Sequence, residues 1–120
     1  SENLRRSAEA AKLLNDAGLI CVAAFLAPEE SVRQKAAEVV GRERFLVVHL
    51  DAPVEVCRAR DQDGLYAKAD SGEIANFPGV SAPYEAPKKP DLVLDTAKLP
   101  VDDCVKQVLS LLVERKIAAS

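Results

Sequence analysis

Phe45-Leu46-Val47-Val48-His49-Leu50-Asp51, read together with the earlier run Leu19-Ile20-Cys21-Val22-Ala23-Ala24-Phe25-Leu26, decides the fold class of this chain. Both are short, nearly unbroken apolar runs, a pattern that predicts strands buried on both faces, as in a parallel sheet. Pro28 stops the earlier run, and the later one ends at an acid just before Pro53. Leu92-Val93-Leu94 predicts a third, shorter strand. Helical spacing fills the intervals. In residues 3–17 apolar positions recur at Leu4, Ala8, Ala11 and Leu14, with Ser1 or Asn3 to cap the start and Gly18 to end it. A more polar helix is expected from Glu29 or Ser31 to about Val40, closed by Gly41, and a short one from Pro53 through Arg60. A closing helix is expected over residues 101–116, with Val105, Val108, Leu109, Leu112 and Val113 on one side. This alternation predicts an α/β fold with a parallel sheet, whose ligands bind beyond the carboxyl ends of the strands. Those ends are Phe25 to Pro28, Asp51 to Pro53 and Asp95 to Pro100.

Residues 61–80 follow from the same edge and read differently. They are too polar and too punctuated by glycine for a core helix or strand, yet they hold Tyr66 and Phe77, two of five aromatic residues in the chain. A polar segment that keeps scarce aromatics predicts a lid over a bound ligand, extended to about residue 90 by Pro83, Pro87 and Pro90. The alternative is a surface loop whose aromatics only tack it down.

Composition bounds the function. The 120 residues are one domain's worth of chain, and 48% hydrophobic residues suffice for a core. A net charge of −3 with interleaved signs gives no basic stripe for nucleic acid. No apolar run reaches the ~18 residues of a membrane span, and no signal-peptide pattern opens the chain. Cys21, Cys57 and Cys104 are odd in number and far apart, and His49 is the single histidine. Neither a disulfide framework nor a metal site is predicted, and the reading is of a cytoplasmic, reducing setting. His49 reads as a strand residue rather than a base.

Asn3-Leu4-Arg5-Arg6 leading into residues 8–18 resembles the adenylylsulfate kinases, which phosphorylate the 3′-hydroxyl of adenosine 5′-phosphosulfate with ATP. The resemblance runs on, in order, through Phe25-Leu26-Ala27-Pro28, Asp51-Ala52-Pro53, Cys57, Arg60-Asp61, Gly64-Leu65-Tyr66, Ala69, Gly72-Glu73-Ile74, Phe77, Gly79 and Tyr84-Glu85. It ends with Asp103-Cys104-Val105, Gln107-Val108 and Leu111-Leu112. It implies a P-loop kinase fold, in which ATP and Mg²⁺ sit on a glycine-rich loop and the sulfonucleotide lies under a lid. It also implies a substrate site from Asn3, Leu26, Ala27, Arg33, Asn76 and Phe77, with Phe77 stacked on the substrate's base. The ATP side would involve Arg60, Asp63 and Leu99, Arg60 as a guanidinium able to stack on adenine and pair with phosphate. A homodimer, and fusion to a sulfate adenylyltransferase, are further implications of the resemblance.

The departures from the family pattern are specific. No G-x-x-x-x-G-K-[ST] occurs, and the five glycines are too dispersed to cradle a phosphate. The expectation is therefore a partial kinase domain, residues 1–120, without the P-loop strand that the resemblance places between residues 19–26 and 45–51. Two apolar strands deprived of that neighbour would carry aggregation-prone edges, which predicts a longer natural protein. Ala27 stands where many family members have a phosphorylatable serine, so no catalytic residue is assigned. Asp63 and Asp70 replace cations near polyanionic ligands, and Lys68 with other cations is expected to compensate. Against the kinase reading stand a catalytically inactive nucleotide-binding or interaction domain and a P-loop kinase for a different acceptor.

Overall fold

The computed structural model describes residues 1–119. Ser1 caps α1 (Glu2–Asp16), its hydroxyl accepting from the Leu4 N–H at 3.3 Å, and Gly18, at φ +89°, turns the chain after the helix. Helix α2 (Glu30–Val40) ends on Gly41 at φ +106°, a left-handed position that favours glycine. The two helices pack through small residues. Ala8 of α1 meets Ala36 and Val40 of α2, with Leu4, Ala11, Val39 and Phe45 closing around them.

Strand β1 (Val48–Asp51) pairs in parallel with β2 (Leu92–Asp95), Val48 opposite Leu92 and Asp51 opposite Asp95. Both strands therefore end at one edge, where the Thr96 N–H donates to the Asp51 carbonyl at 3.0 Å. From that edge β1 leads into α3 (Val54–Arg60), and β2 leads through Leu99 into α5 (Val101–Glu114). Leu94, 1% exposed, is the most deeply buried large side chain among the described residues.

Three expectations are corrected. Residues 19–26 form no strand: β1's hydrogen-bonded neighbour is β2, and the run joins neither ladder. It is held only at its ends, where Leu19 bonds to Leu14 and the Asn15 side chain, and where Ala27 and Pro28 accept hydrogen bonds from Arg33 and Glu85. Val22 is 86% exposed as a result. The predicted strand over residues 45–51 shortens to Val48–Asp51, the residues in register with Leu92–Asp95, with Val47 bonded to Asp91 at its entry.

The polar segment holds a helix, α4 (Leu65–Asp70). Gly64, at φ +70°, turns the chain into it, and the Asp61 carboxylate accepts from the N–H groups of Asp63 and Tyr66 at 3.2 and 2.9 Å. An acidic acceptor at a helix start satisfies donors that otherwise lack partners.

On α5 the inward face is Cys104, Val108, Leu111 and Leu112, whereas Val105 and Leu109 are about half exposed. The apolar stripe is wider than the surface available to cover it. The radius of gyration, 15.8 Å, accordingly exceeds the ~13.6 Å of a compact domain this long.

Candidate functional site

The turn after residues 19–26 and the far end of the polar segment meet around a cavity of about 440 Å³. Pro28 and Glu29 form one wall; Asn76, Pro78, Ala82, Pro83 and Glu85 form the other. The size lies within the range of small-molecule sites. A backbone hydrogen bond from the Glu85 N–H to the Pro28 carbonyl, 2.8 Å, spans the two walls. Behind them lies Arg33, 8% exposed. Its Nε and Nη2 donate to Glu30 Oε2 at 3.2 and 2.6 Å, Nη1 donates to the Ala27 carbonyl, and Nη2 also reaches the Glu85 carbonyl at 2.5 Å. Hydrogen bonds from Arg33 and then Gln34 hold the Glu30 carboxyl below its ordinary range.

Asn76 occupies the left-handed region at φ +56°, tolerated better by asparagine than by most residues. It opens a tight knot in which the Phe77 N–H donates to Ser81 Oγ at 2.8 Å, while the Phe77 carbonyl accepts from the N–H groups of Val80, Ser81 and Ala82. Phe77 is half-buried, its ring edge-on to Tyr66 with centroids 5.0 Å apart. The Arg58 guanidinium lies 5.1 Å from the centre of the Tyr66 ring and grips Asp70 through two hydrogen bonds, 2.7 and 3.2 Å. These contacts link α3, α4 and Phe77 in one chain. The Arg58 hydrogen bonds depress the Asp70 carboxyl, and burial, followed by the Cys57 side chain, raises the Tyr66 phenol. The cation facing Asp70 is thus Arg58.

Of the residues singled out in the sequence, the structure brings together Ala27, Arg33 and Asn76, with Phe77 adjoining and Leu26 exposed at the start of the turn. Asn3 is in the first turn of α1 and does not line this cavity, its carbonyl accepting from Ser7 Oγ. Arg60 is the last residue of α3 and Asp63 follows it, and Leu99 follows β2, all in segments that leave the carboxyl edge of the sheet. Arg60 and Asp63 are exposed, and the Leu99 N–H donates to the Asp95 carbonyl at 2.9 Å. Sequence reasoning assigned no role to Glu29, Glu85 or Arg58, and took Tyr66 only as an aromatic of the lid. For Glu85 the signal was its place in the matching Tyr84-Glu85 pair; for Arg58 there was none. Among the described residues no group of three or more His, Cys, Asp and Glu side chains is arranged to hold a metal ion. No helix among them is long and apolar enough to cross a membrane.

A family model described as adenylylsulphate kinase matches residues 1–95. The chain belongs to that family. An adenylyl-sulfate kinase of Bacteroides thetaiotaomicron is 46% identical over 114 residues, 95% of this chain and 57% of that protein. The bifunctional enzyme CysN/CysC of Rhodopirellula baltica is 53% identical over 112 residues, covering 93% of the chain but 17% of the enzyme. The chain thus spans little more than half the length of the first of these relatives and a sixth of the second. Among solved structures, the Mycobacterium tuberculosis APS kinase CysC, in complex with AMPPNP and APS, superposes with a TM-score of 0.87 at 39% identity, over 92% of this chain and 65% of that one. The likeness supplies the P-loop kinase-like fold expected from the sequence.

Proposed function

We propose that the protein carrying this chain transfers the γ-phosphoryl group of ATP to the 3′-hydroxyl of adenosine 5′-phosphosulfate. The 3′-oxygen forms a new bond to phosphorus, the bond from phosphorus to the ADP oxygen breaks, and the hydroxyl proton leaves to solvent or base. The observation that carries this reading is the cavity between the Ala27-Pro28 turn and the Asn76-bearing wall, beside Phe77, in a chain of this family. The charged residues lining it are both carboxylates, Glu29 and Glu85. Such a lining suits the base and ribose of a nucleotide, which offer N–H and O–H donors, better than its anionic groups. Phe77 stands between the lining residues Asn76 and Pro78, and its ring packs against Tyr66, on which Arg58 lies in turn.

The pairing of Asp70 with Arg58 supports activity over an inactive domain, because the carboxylate is turned to a partner within the chain. Ala27 excludes a phosphoserine at that position and leaves direct transfer. Mg²⁺ would supply charge neutralisation on the ATP phosphates, and residues 61–90 would act as the lid of a single kinase domain. Asn3 and Leu26 on the substrate side, and Arg60, Asp63 and Leu99 on the ATP side, belong to the same proposal. So do a homodimer and fusion to a sulfate adenylyltransferase; a bifunctional relative supports the latter. Three free cysteines support a reducing, cytoplasmic setting. The test is a coupled ADP-release assay on the full-length protein with ATP and Mg²⁺. ADP formation that depends on adenosine 5′-phosphosulfate is the expected result; formation that responds instead to another acceptor, or to none, overturns the proposal.

A further inference from the structure

Arg33 is the buried charged side chain of the described residues, and its guanidinium is spent within the protein. Four hydrogen bonds commit its three nitrogens to Glu30, to the Ala27 carbonyl and to the Glu85 carbonyl. An arginine so engaged has little left with which to grip a phosphate or sulfate. Its partners, however, are the two walls of the candidate cavity: Ala27 leads into Pro28 and Glu29 on one side, and Glu85 belongs to the other. The Glu85 N–H to Pro28 carbonyl bond repeats the same crosslink in backbone.

We infer that Arg33 is a positioning residue that fixes the separation of these walls, and that it acts on the sulfonucleotide through them without touching it. This rests on the kinase reading for its ligand, but the clamp itself is a statement about structure. The guanidinium reaches its three partners from three separate nitrogens held in one plane. A lysine in its place is a point charge with a single nitrogen, able to keep Glu30 but not both carbonyls.

The full-length protein, with Arg33→Lys and Arg33→Ala, is tested in three ways. Hydrogen exchange at the Glu85 amide is expected to quicken about tenfold or more in both variants while amides of the α1–α2 packing stay protected. The KM for adenosine 5′-phosphosulfate is expected to rise about tenfold with the KM for ATP within about twofold. Inhibition by uncharged adenosine is expected to weaken by the same factor as binding of the sulfonucleotide, because a displaced wall affects both, whereas loss of a direct anion contact spares the nucleoside. Unchanged exchange at Glu85 in Arg33→Lys, or a loss confined to the charged ligand, overturns the inference. Should the unaltered protein lack sulfonucleotide-dependent turnover, the kinase reading falls, and the exchange result still decides the clamp. Arg33→Lys keeps the charge for Glu30, so the experiment stands even if Arg33→Ala does not fold.

Discussion

The α1–α2 pair and residues 61–90 are held by different forces. Ala8, Ala36 and Val40 are each about 5–6% exposed and join the helices by close contact of small apolar groups. Residues 61–90 bury little by comparison and are fixed by directed contacts: Asp61 on the start of α4, Asp70 on Arg58, Phe77 against Tyr66, Ser81 on the Phe77 backbone. Apolar packing tolerates small shifts and contributes through removal of surface from water. Directed contacts contribute less each, but they specify where an atom sits. A scaffold built the first way can carry a segment built the second way, and only the second can open without unfolding the rest.

Substitutions that strike one region and spare the other sharpen this contrast. The largest expected effect is on the scaffold. Leu94→Ala empties the most buried site in the sheet and is expected to cost about 2–5 kcal/mol in urea unfolding of the full-length protein. A loss well under 1 kcal/mol would show that the sheet is not the stabilising centre. Phe77→Ala strikes the other region. It is expected to weaken sulfonucleotide binding by about 1–3 kcal/mol, roughly five- to 150-fold, with a small change in unfolding midpoint. An equal loss in ATP binding and in stability would make Phe77 an anchor only.

Gly41→Ala returns to the scaffold at one backbone position. The residue sits at φ +106°, and an added Cβ would lie 3.1 Å from Glu43 Oε1, so a loss of about 1 kcal/mol is expected in the same unfolding experiment. The smallest effect belongs to the exposed ion pair. Arg58 lowers the Asp70 carboxyl, so the pair's contribution is complete above the ordinary aspartate range, near pH 4, and fades as the pH falls through the lowered value. Asp70→Asn is expected to remove that acid-side dependence and to shift stability little, since both side chains are well exposed. A large loss at neutral pH would mean that the pair organises more of the segment than its exposure implies.

The helices were legible because capping and periodicity are local. Ser1, Gly18 and Gly41 stand where the sequence placed the ends of α1 and α2. Helix α4 was hidden because its start is made by Asp61, whose carboxylate arrives across a glycine turn, and six residues carry little periodicity. Of the site, the family resemblance located the Ala27 turn and Asn76-Phe77, but not the partners that hold them. Arg33 entered only as a substrate-side residue of the resemblance, since a guanidinium's partner 52 residues away leaves no mark on its neighbours.

By itself, then, the sequence determined the α/β alternation, the parallel sense of the sheet and the family, all of which follow from local pattern or collinear motif. Tertiary structure alone decided that residues 19–26 are extended but unpaired, because a strand is a relation between two segments and apolarity specifies only half of it. It also decided that Arg58 answers Asp70 and that Arg33 joins Ala27 to Glu85. A charge in a sequence gives a sign, and what that sign meets depends on which distant backbone the fold brings within 3 Å of it.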